Sequence, residues 1–213
     1  MEHNHTSQYI KYSFVPIFIV LLCGCMGKSQ PSRFYALTPI NAPAVTKTEA
    51  SVEPRIVIGL STVDIPDYLN RPQLVTRNSQ NEINVAEYDR WAGSFNSDIV
   101  TVLAENLSTL LSQDGIAVVS ADWNIPLNYR LAVDIRRFDI MPDNKLLLKA
   151  EWTLAGNRGK TAHLLREVSF SEPVNGTDYP AKVAAMSRTM ERLSREMATT
   201  IRYEIQKHKS MTP

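Results

Sequence analysis

Few residues in this chain of 213 have the type and spacing needed for chemistry. Two of its four His, His163 and His208, lie outside the N-terminal segment, and neither stands at ligand spacing from a Cys or a carboxylate. A metal site is therefore not predicted. Asp64 and Asp67 have the spacing of paired acids, but beside a proline they are more typical of a turn. With no Gly-x-Ser-x-Gly motif either, we predict no enzyme and no cofactor.

The two Cys, Cys23 and Cys25, directly follow an apolar run over residues 14–22. This run is shorter than the roughly 20 residues that cross a bilayer and fits the apolar core of a secretory signal. The string Leu-Cys-Gly-Cys over residues 22–25 resembles the bacterial lipobox, in which the last Cys is diacylated and becomes the first residue after cleavage. We therefore expect residues 1–24 to be a lipoprotein signal peptide and Cys25 to carry the lipid. A plain signal peptide or an uncleaved anchor is the alternative.

The expected location follows from the same segment. Three acyl chains on Cys25 would anchor the chain permanently, since each buried methylene contributes about 0.8 kcal/mol. Met26 stands where an Asp would resemble an inner-membrane retention signal, so we predict the periplasmic face of the outer membrane. Residues 25–32 form the lipidated Cys and a short tether. A net charge of +1 gives no electrostatic basis for nucleic-acid binding.

Any functional surface must be positioned by the secondary-structure elements of residues 33–213, most of which are predicted to be strands. Alternating or β-branched segments predict strands over residues 33–37, 55–65, 73–77, 83–86, 116–119, 129–140, 146–154 and 162–170. A helix is expected from Ser94, a good N-cap, to a stop at Gly115, and a second long helix begins near Asp178 or Tyr179.

This order of elements predicts the fold class. We expect a single α+β domain over residues 33–207, with a mixed, mostly antiparallel sheet and two helices packed on one face. A polar tail follows over residues 208–213.

One segment between Pro66 and Trp91 combines Arg and aromatic residues on a proline-stiffened loop. These residue types dominate protein interfaces. The candidates for partner or oligomer contacts are Tyr68, Leu69, Arg71, Pro72, Gln73, Arg77, Arg90 and Trp91. A structural role is an equal alternative, in which Tyr68 and Trp91 cover the sheet edge. The Arg side chains would then pair with Asp64, Asp67 or Glu87.

The string Tyr-Leu-x-Arg-Pro-Gln-x-Val-x-Arg over residues 68–77 resembles the signature of the ABC-type transport auxiliary lipoproteins, the PqiC/YmbA-like family. The segments 33–37, 89–92 and 129–139 and the strand around Trp152 support the resemblance, which extends over essentially the whole mature chain.

This resemblance implies a non-enzymatic periplasmic component of a Pqi-type intermembrane lipid transport system. In such a system an inner-membrane component works with an MCE-domain protein that forms a tunnel across the periplasm. The lipoprotein would receive that tunnel at the outer membrane, as a ring-like homo-oligomer. Two other functions share the lipid anchor and the small domain: a periplasmic lipid carrier, and a chaperone for outer-membrane assembly.

Overall fold

A computed structural model describes residues 30–41, 56–121, 125–156 and 162–211. From Ser32 onward the chain forms one compact unit. The predicted signal peptide, Cys25 and most of the tether lie outside the described residues, so those expectations stay predictions.

The described residues form eight strands and two α-helices. The strands are β1 (Arg33–Tyr35), β2 (Ile56–Asp64), β3 (Gln73–Arg77), β4 (Ile83–Trp91), β5 (Ile116–Ser120), β6 (Tyr129–Ile140), β7 (Lys145–Gly156) and β8 (Ala162–Pro173). The helices are α1 (Phe95–Leu111), followed by a 3-10 turn at Ser112–Asp114, and α2 (Tyr179–Met211). The second helix thus continues into the predicted polar tail.

The larger sheet has five strands in the order β5-β2-β6-β7-β8. β2 pairs in parallel with β5 and β6, and β6, β7 and β8 form the expected antiparallel meander. Along β6, Leu131, Val133 and Ile135 are buried on one face, as strand alternation requires. The register with β7 then shifts by one residue at Arg136, and this bulge turns Phe138 toward the same core.

Both helices cover one face of this sheet, as predicted. The Ser94 side chain accepts a hydrogen bond from the Ser97 amide at 3.4 Å and caps α1. Gly115 ends the following turn with φ = 69°, a left-handed conformation that glycine adopts without strain. α1 packs against β2 and β5, and α2 packs against β7 and β8. Between the helices, the buried Asn106 amide donates to the Ser194 hydroxyl at 3.1 Å.

The α+β prediction is confirmed, and the structure adds that the strands divide between two sheets. The smaller sheet has the order β1-β4-β3, with β1 parallel and β3 antiparallel to β4. Of the six pairings among the described strands, three are parallel and three antiparallel, whereas mostly antiparallel pairing was predicted. The division arises because β4 runs five residues beyond the predicted hairpin, and its last three residues pair with β1.

Candidate docking surface

The family-like string begins in a tight turn between β2 and β3. The Leu69 amide donates to the Pro66 carbonyl at 2.9 Å, and the Asn70 amide donates to the Asp67 carbonyl at 3.1 Å. Pro66 and Asp67 thus shape a turn, as their sequence context indicates. Leu69 is buried in the core, so its side chain is not available to a partner.

Three side chains converge on Asp139 at the end of β6, where the carboxylate is only 1% exposed. The Tyr68 hydroxyl donates to Asp139 Oδ1 at 2.8 Å, and Arg77 Nε donates to Oδ2 at 2.6 Å. Arg137 Nε reaches the same Oδ2 at 3.0 Å. The Arg77 guanidinium also lies 5.3 Å from the centre of the Tyr68 ring. This network joins three parts of the fold, because Tyr68 lies in the loop, Arg77 in β3, and Arg137 in β6 beside Asp139.

The Asp139 network contains charged groups that are almost fully shielded from water. Burial raises the pKa of the Tyr68 hydroxyl, and the hydrogen bond to the Asp139 carboxylate raises it further, so the hydroxyl keeps its proton and stays a donor at neutral pH. Arg77 is nearly buried too, with 11% of its side chain exposed. A buried guanidinium without a counter-charge is costly, so Asp139 is required to hold Arg77 in place.

Trp91 is a core residue. Its ring stacks on Phe95 with the ring centres 4.2 Å apart, and Phe95 in turn stacks on Phe138 at 6.0 Å. The Trp91 amide donates to the Pro72 carbonyl at 2.7 Å, which fixes the end of the loop against β4. Trp91 therefore connects the smaller sheet to the larger one.

The structure thus separates the eight predicted contact residues into two groups. Tyr68, Leu69, Arg77 and Trp91 serve the interior, whereas Arg71 and Pro72 are exposed and Gln73 and Arg90 are half-buried. For Tyr68 and Trp91, the structural role describes the observed burial better than an interface role does. The arginine partner differs from the one expected for that role, because Arg77 pairs with Asp139 and not with Asp64, Asp67 or Glu87.

Asp139 is the residue that sequence reasoning missed. The available signal was an acidic residue directly after the apolar Phe138 in a predicted strand. Its partners Arg77 and Tyr68, however, lie 62 and 71 residues away in the sequence.

A second buried carboxylate, Asp89, accepts from the Arg33 side chain at 3.0 Å and from the Tyr35 hydroxyl at 2.8 Å. These bonds stabilise the pairing of β1 with β4.

The described residues hold no candidate metal centre and no candidate membrane-spanning helix. Among the described residues, no three His, Cys, Asp or Glu side chains come together in a way that could hold a metal ion. Neither described helix is long and apolar enough to span a bilayer. The side chains of His163 and His208 and all of Cys25 lie outside the described residues.

An apolar cleft lies between the smaller sheet and α2. Its lining includes Leu74, Trp91 and Met186. The free space inside is about 10 Å³, which is about the room that one water molecule needs.

The family model for the ABC-type transport auxiliary lipoprotein component matches residues 35–198. Two curated relatives, both called intermembrane transport lipoprotein PqiC, come from Escherichia coli (strain K12) and Shigella flexneri. Each is 27% identical over 176 residues, which is 83% of this chain and 90% of the relative.

Solved structures show a similar fold. A crystal structure of an uncharacterized protein aligns with a TM-score of 0.67 and 20% identity over 81% of this chain and 99% of its own. Protein XCC0632 from Xanthomonas campestris aligns with a TM-score of 0.66 and 17% identity, over 84% of this chain and 100% of its own. The matched family region contains the Tyr68–Arg77 string, the Asp139 network, α1 and the larger part of α2. The chain therefore belongs to the family of ABC-type transport auxiliary lipoprotein components.

Proposed function

We propose that this chain is an outer-membrane lipoprotein, anchored through Cys25, that docks the periplasmic MCE-domain tunnel protein of a Pqi-type intermembrane lipid transport system. The inner-membrane Pqi-type component then acts on it only through the tunnel protein. The family match over residues 35–198 carries this proposal. The shared name of the two curated relatives supports a place in intermembrane transport.

The docking contacts are assigned to the exposed part of the loop. Arg71 and Pro72 project from a turn whose neighbours Leu69 and Trp91 are fixed in the core. A side chain on such a rigid support loses little conformational entropy on binding, which favours affinity. We assign the same loop to contacts between subunits of a ring-like homo-oligomer.

A pull-down from intact envelopes tests the docking. The wild-type chain should retain an MCE-domain protein, identified by mass spectrometry, and Arg71→Ala should retain at least about fivefold less, as expected for loss of an interface arginine. Arg195→Ala is the matched control, because Arg195 is also exposed and lies on α2, paired with Glu191. Wild-type protein that is anchored in the envelope but retains no MCE-domain protein would contradict the proposal.

The anchor needs a separate test. Cys25→Ala, made behind a signal peptide whose cleavage does not need a lipidated Cys, should leave the domain folded and release it from the membrane fraction, because the fold from Ser32 onward is one compact unit. Sedimentation with circular dichroism of the released chain measures both properties. A Cys25→Ala chain that still sediments with membranes would refute the anchor assignment.

A lipid carrier is the alternative function, and it must enclose acyl chains. The apolar cleft beside α2 has room for about one water molecule. Larger hollows of about 440–500 Å³ among the described residues, one of them lined by Met141, Pro142 and Leu147, are open to solvent. We therefore base the proposal on docking.

A further inference from the structure

The outer face of the smaller sheet is unusually apolar for a surface. Six large apolar side chains are exposed among the described residues, and three of them, Phe34, Ile83 and Val85, belong to this sheet. Phe34 is the most exposed of all, at 65%. The other three are scattered over a loop, a strand of the larger sheet and a helix, where single exposed apolar residues are ordinary.

Strand alternation turns these three side chains away from the core. Ile83 and Val85 are alternate residues of β4 and share its exposed face, whereas their β3 partners Arg77 and Val75 are covered. Beyond the register shift between β3 and β4, Phe34 pairs with Arg90 while its neighbour Tyr35 pairs with the core residue Trp91, so Phe34 points outward. The opposite face is turned to the helices: Trp91 stacks on Phe95 there. We call the face that bears Phe34, Ile83, Val85 and Arg90 the Phe34 face.

Charge on the Phe34 face is mixed and sparse. Arg90 is half-buried, and its Nε is closed to solvent. Glu87 is exposed two residues beyond Val85. Contact of this face with a bilayer therefore rests on its apolar side chains.

The covalent path to the lipidated residue limits how far this face can be from the bilayer. Phe34 follows Cys25 by nine residues, which span at most about 30 Å when fully extended. The exposed phenyl ring is therefore tethered within reach of the headgroup layer at a high effective concentration.

We propose that the Phe34 face rests on the bilayer, with Phe34 inserted among the headgroups. The proposal rests on the lipid anchor at Cys25 and is independent of docking to the tunnel protein. It orients the domain: the smaller sheet lies against the membrane, and the outer face of the larger sheet is left free. A phenyl ring buried about 5–10 Å into the headgroup boundary is typical of interfacial contacts.

Depth-sensitive quenching on the full-length lipidated protein tests this orientation. The sequence holds Cys23 and Cys25 only, so an introduced Cys is the single free thiol once the signal is removed and Cys25 is acylated. Phe34→Cys is labelled with an environment-sensitive fluorophore. Leu165→Cys and Tyr203→Cys are the matched controls, with native side chains 58% and 62% exposed on other elements. The vesicles contain phosphatidylethanolamine and phosphatidylglycerol, with or without nitroxide-labelled phosphatidylcholine.

The expected result is quenching by the lipid nitroxide at least about threefold stronger at position 34 than at either control position. Equal quenching at the three positions would overturn the orientation. A label at position 34 that is shielded from water but not quenched by lipid would also overturn it, since another protein surface would then cover the face. If the control variants fail to sediment with the vesicles, the anchor is wrong, and the proposed function fails together with this inference.

Discussion

Removal of the Asp139 charge tests the central structural claim about the family-like string. Asp139→Asn keeps the size of the side chain but leaves Arg77 nearly buried without a counter-charge, and it weakens the bond from the Tyr68 hydroxyl. Breaking a buried ion pair from one side costs about 3–5 kcal/mol. For a domain of this size that loss lowers Tm by about 6–20 °C.

Asp134→Asn is the matched control, because it changes the same residue type on the same strand. Asp134 also pairs with an arginine, Arg136, at 3.3 Å, but both side chains are 51% exposed. An exposed pair contributes about 0–1 kcal/mol, so the control should be nearly neutral. The pair of variants therefore separates the effect of burial from that of charge alone.

Urea unfolding of the chain from Ser32 onward, followed by tryptophan fluorescence, measures the free energy of unfolding. Trp91 and Trp152 are buried and report loss of the core. Replacing the pair together, with Arg77→Met and Asp139→Leu, should recover part of the loss, because the most buried charges are removed together. The Tyr68 hydroxyl still loses its acceptor, and Arg137, whose side chain is 32% exposed, is left to solvent. A cost for Asp139→Asn within about 1 kcal/mol of the Asp134→Asn control would refute the argument.

Three further perturbations follow from the packing. Trp91→Ala should cost about 3–5 kcal/mol in urea unfolding, whereas Phe34→Ser should stay within about 0.5 kcal/mol of wild type, and similar costs for the two would contradict their assigned environments. Asn106→Leu should cost about 1–3 kcal/mol, because it leaves the Ile40 amide without its acceptor, and a neutral result would show that this contact is dispensable. Burial raises the pKa of Asp98, so its contribution to stability is present at pH below about 4 and is lost as pH rises through the raised value. Asp98→Asn should therefore gain on wild type as pH rises from about 4 through the raised pKa, and a difference that stays constant with pH would count against a raised pKa.

Local pattern was sufficient for most elements of the fold. The Ser94 cap, the Gly115 stop and the start of α2 at Tyr179 were all predicted, because capping and helix periodicity act within a few residues. The meander of β6 to β8 was predicted for the same reason, since alternation and short turns are local. Parallel pairing of β2 with β5 and β6 was not, because it depends on segments about 60–70 residues apart.

In the segment from Pro66 to Trp91, local sequence pattern was not sufficient to predict which side chains are buried. Residue types there were compatible with an interface or with a covered sheet edge, and composition alone does not decide between them. The bulge at Arg136 shifts the register of β6, so that Phe138 enters the core and Asp139 meets Tyr68 and Arg77. Whether Tyr68 and Arg77 are buried therefore depends on β6, which is distant in the sequence.

The amino-acid sequence by itself determined the α+β class, the helix ends and the resemblance to the transport auxiliary lipoproteins, and it predicted Cys25 as the anchor. These features rest on short-range preferences and on a contiguous string of residues. Only the tertiary structure decided that Tyr68, Leu69, Arg77 and Trp91 support the fold while Arg71 and Pro72 stay exposed. The reason is physical: a side chain becomes interior when a partner of opposite charge or matching shape arrives from elsewhere in the chain, and for Arg77 that partner is Asp139.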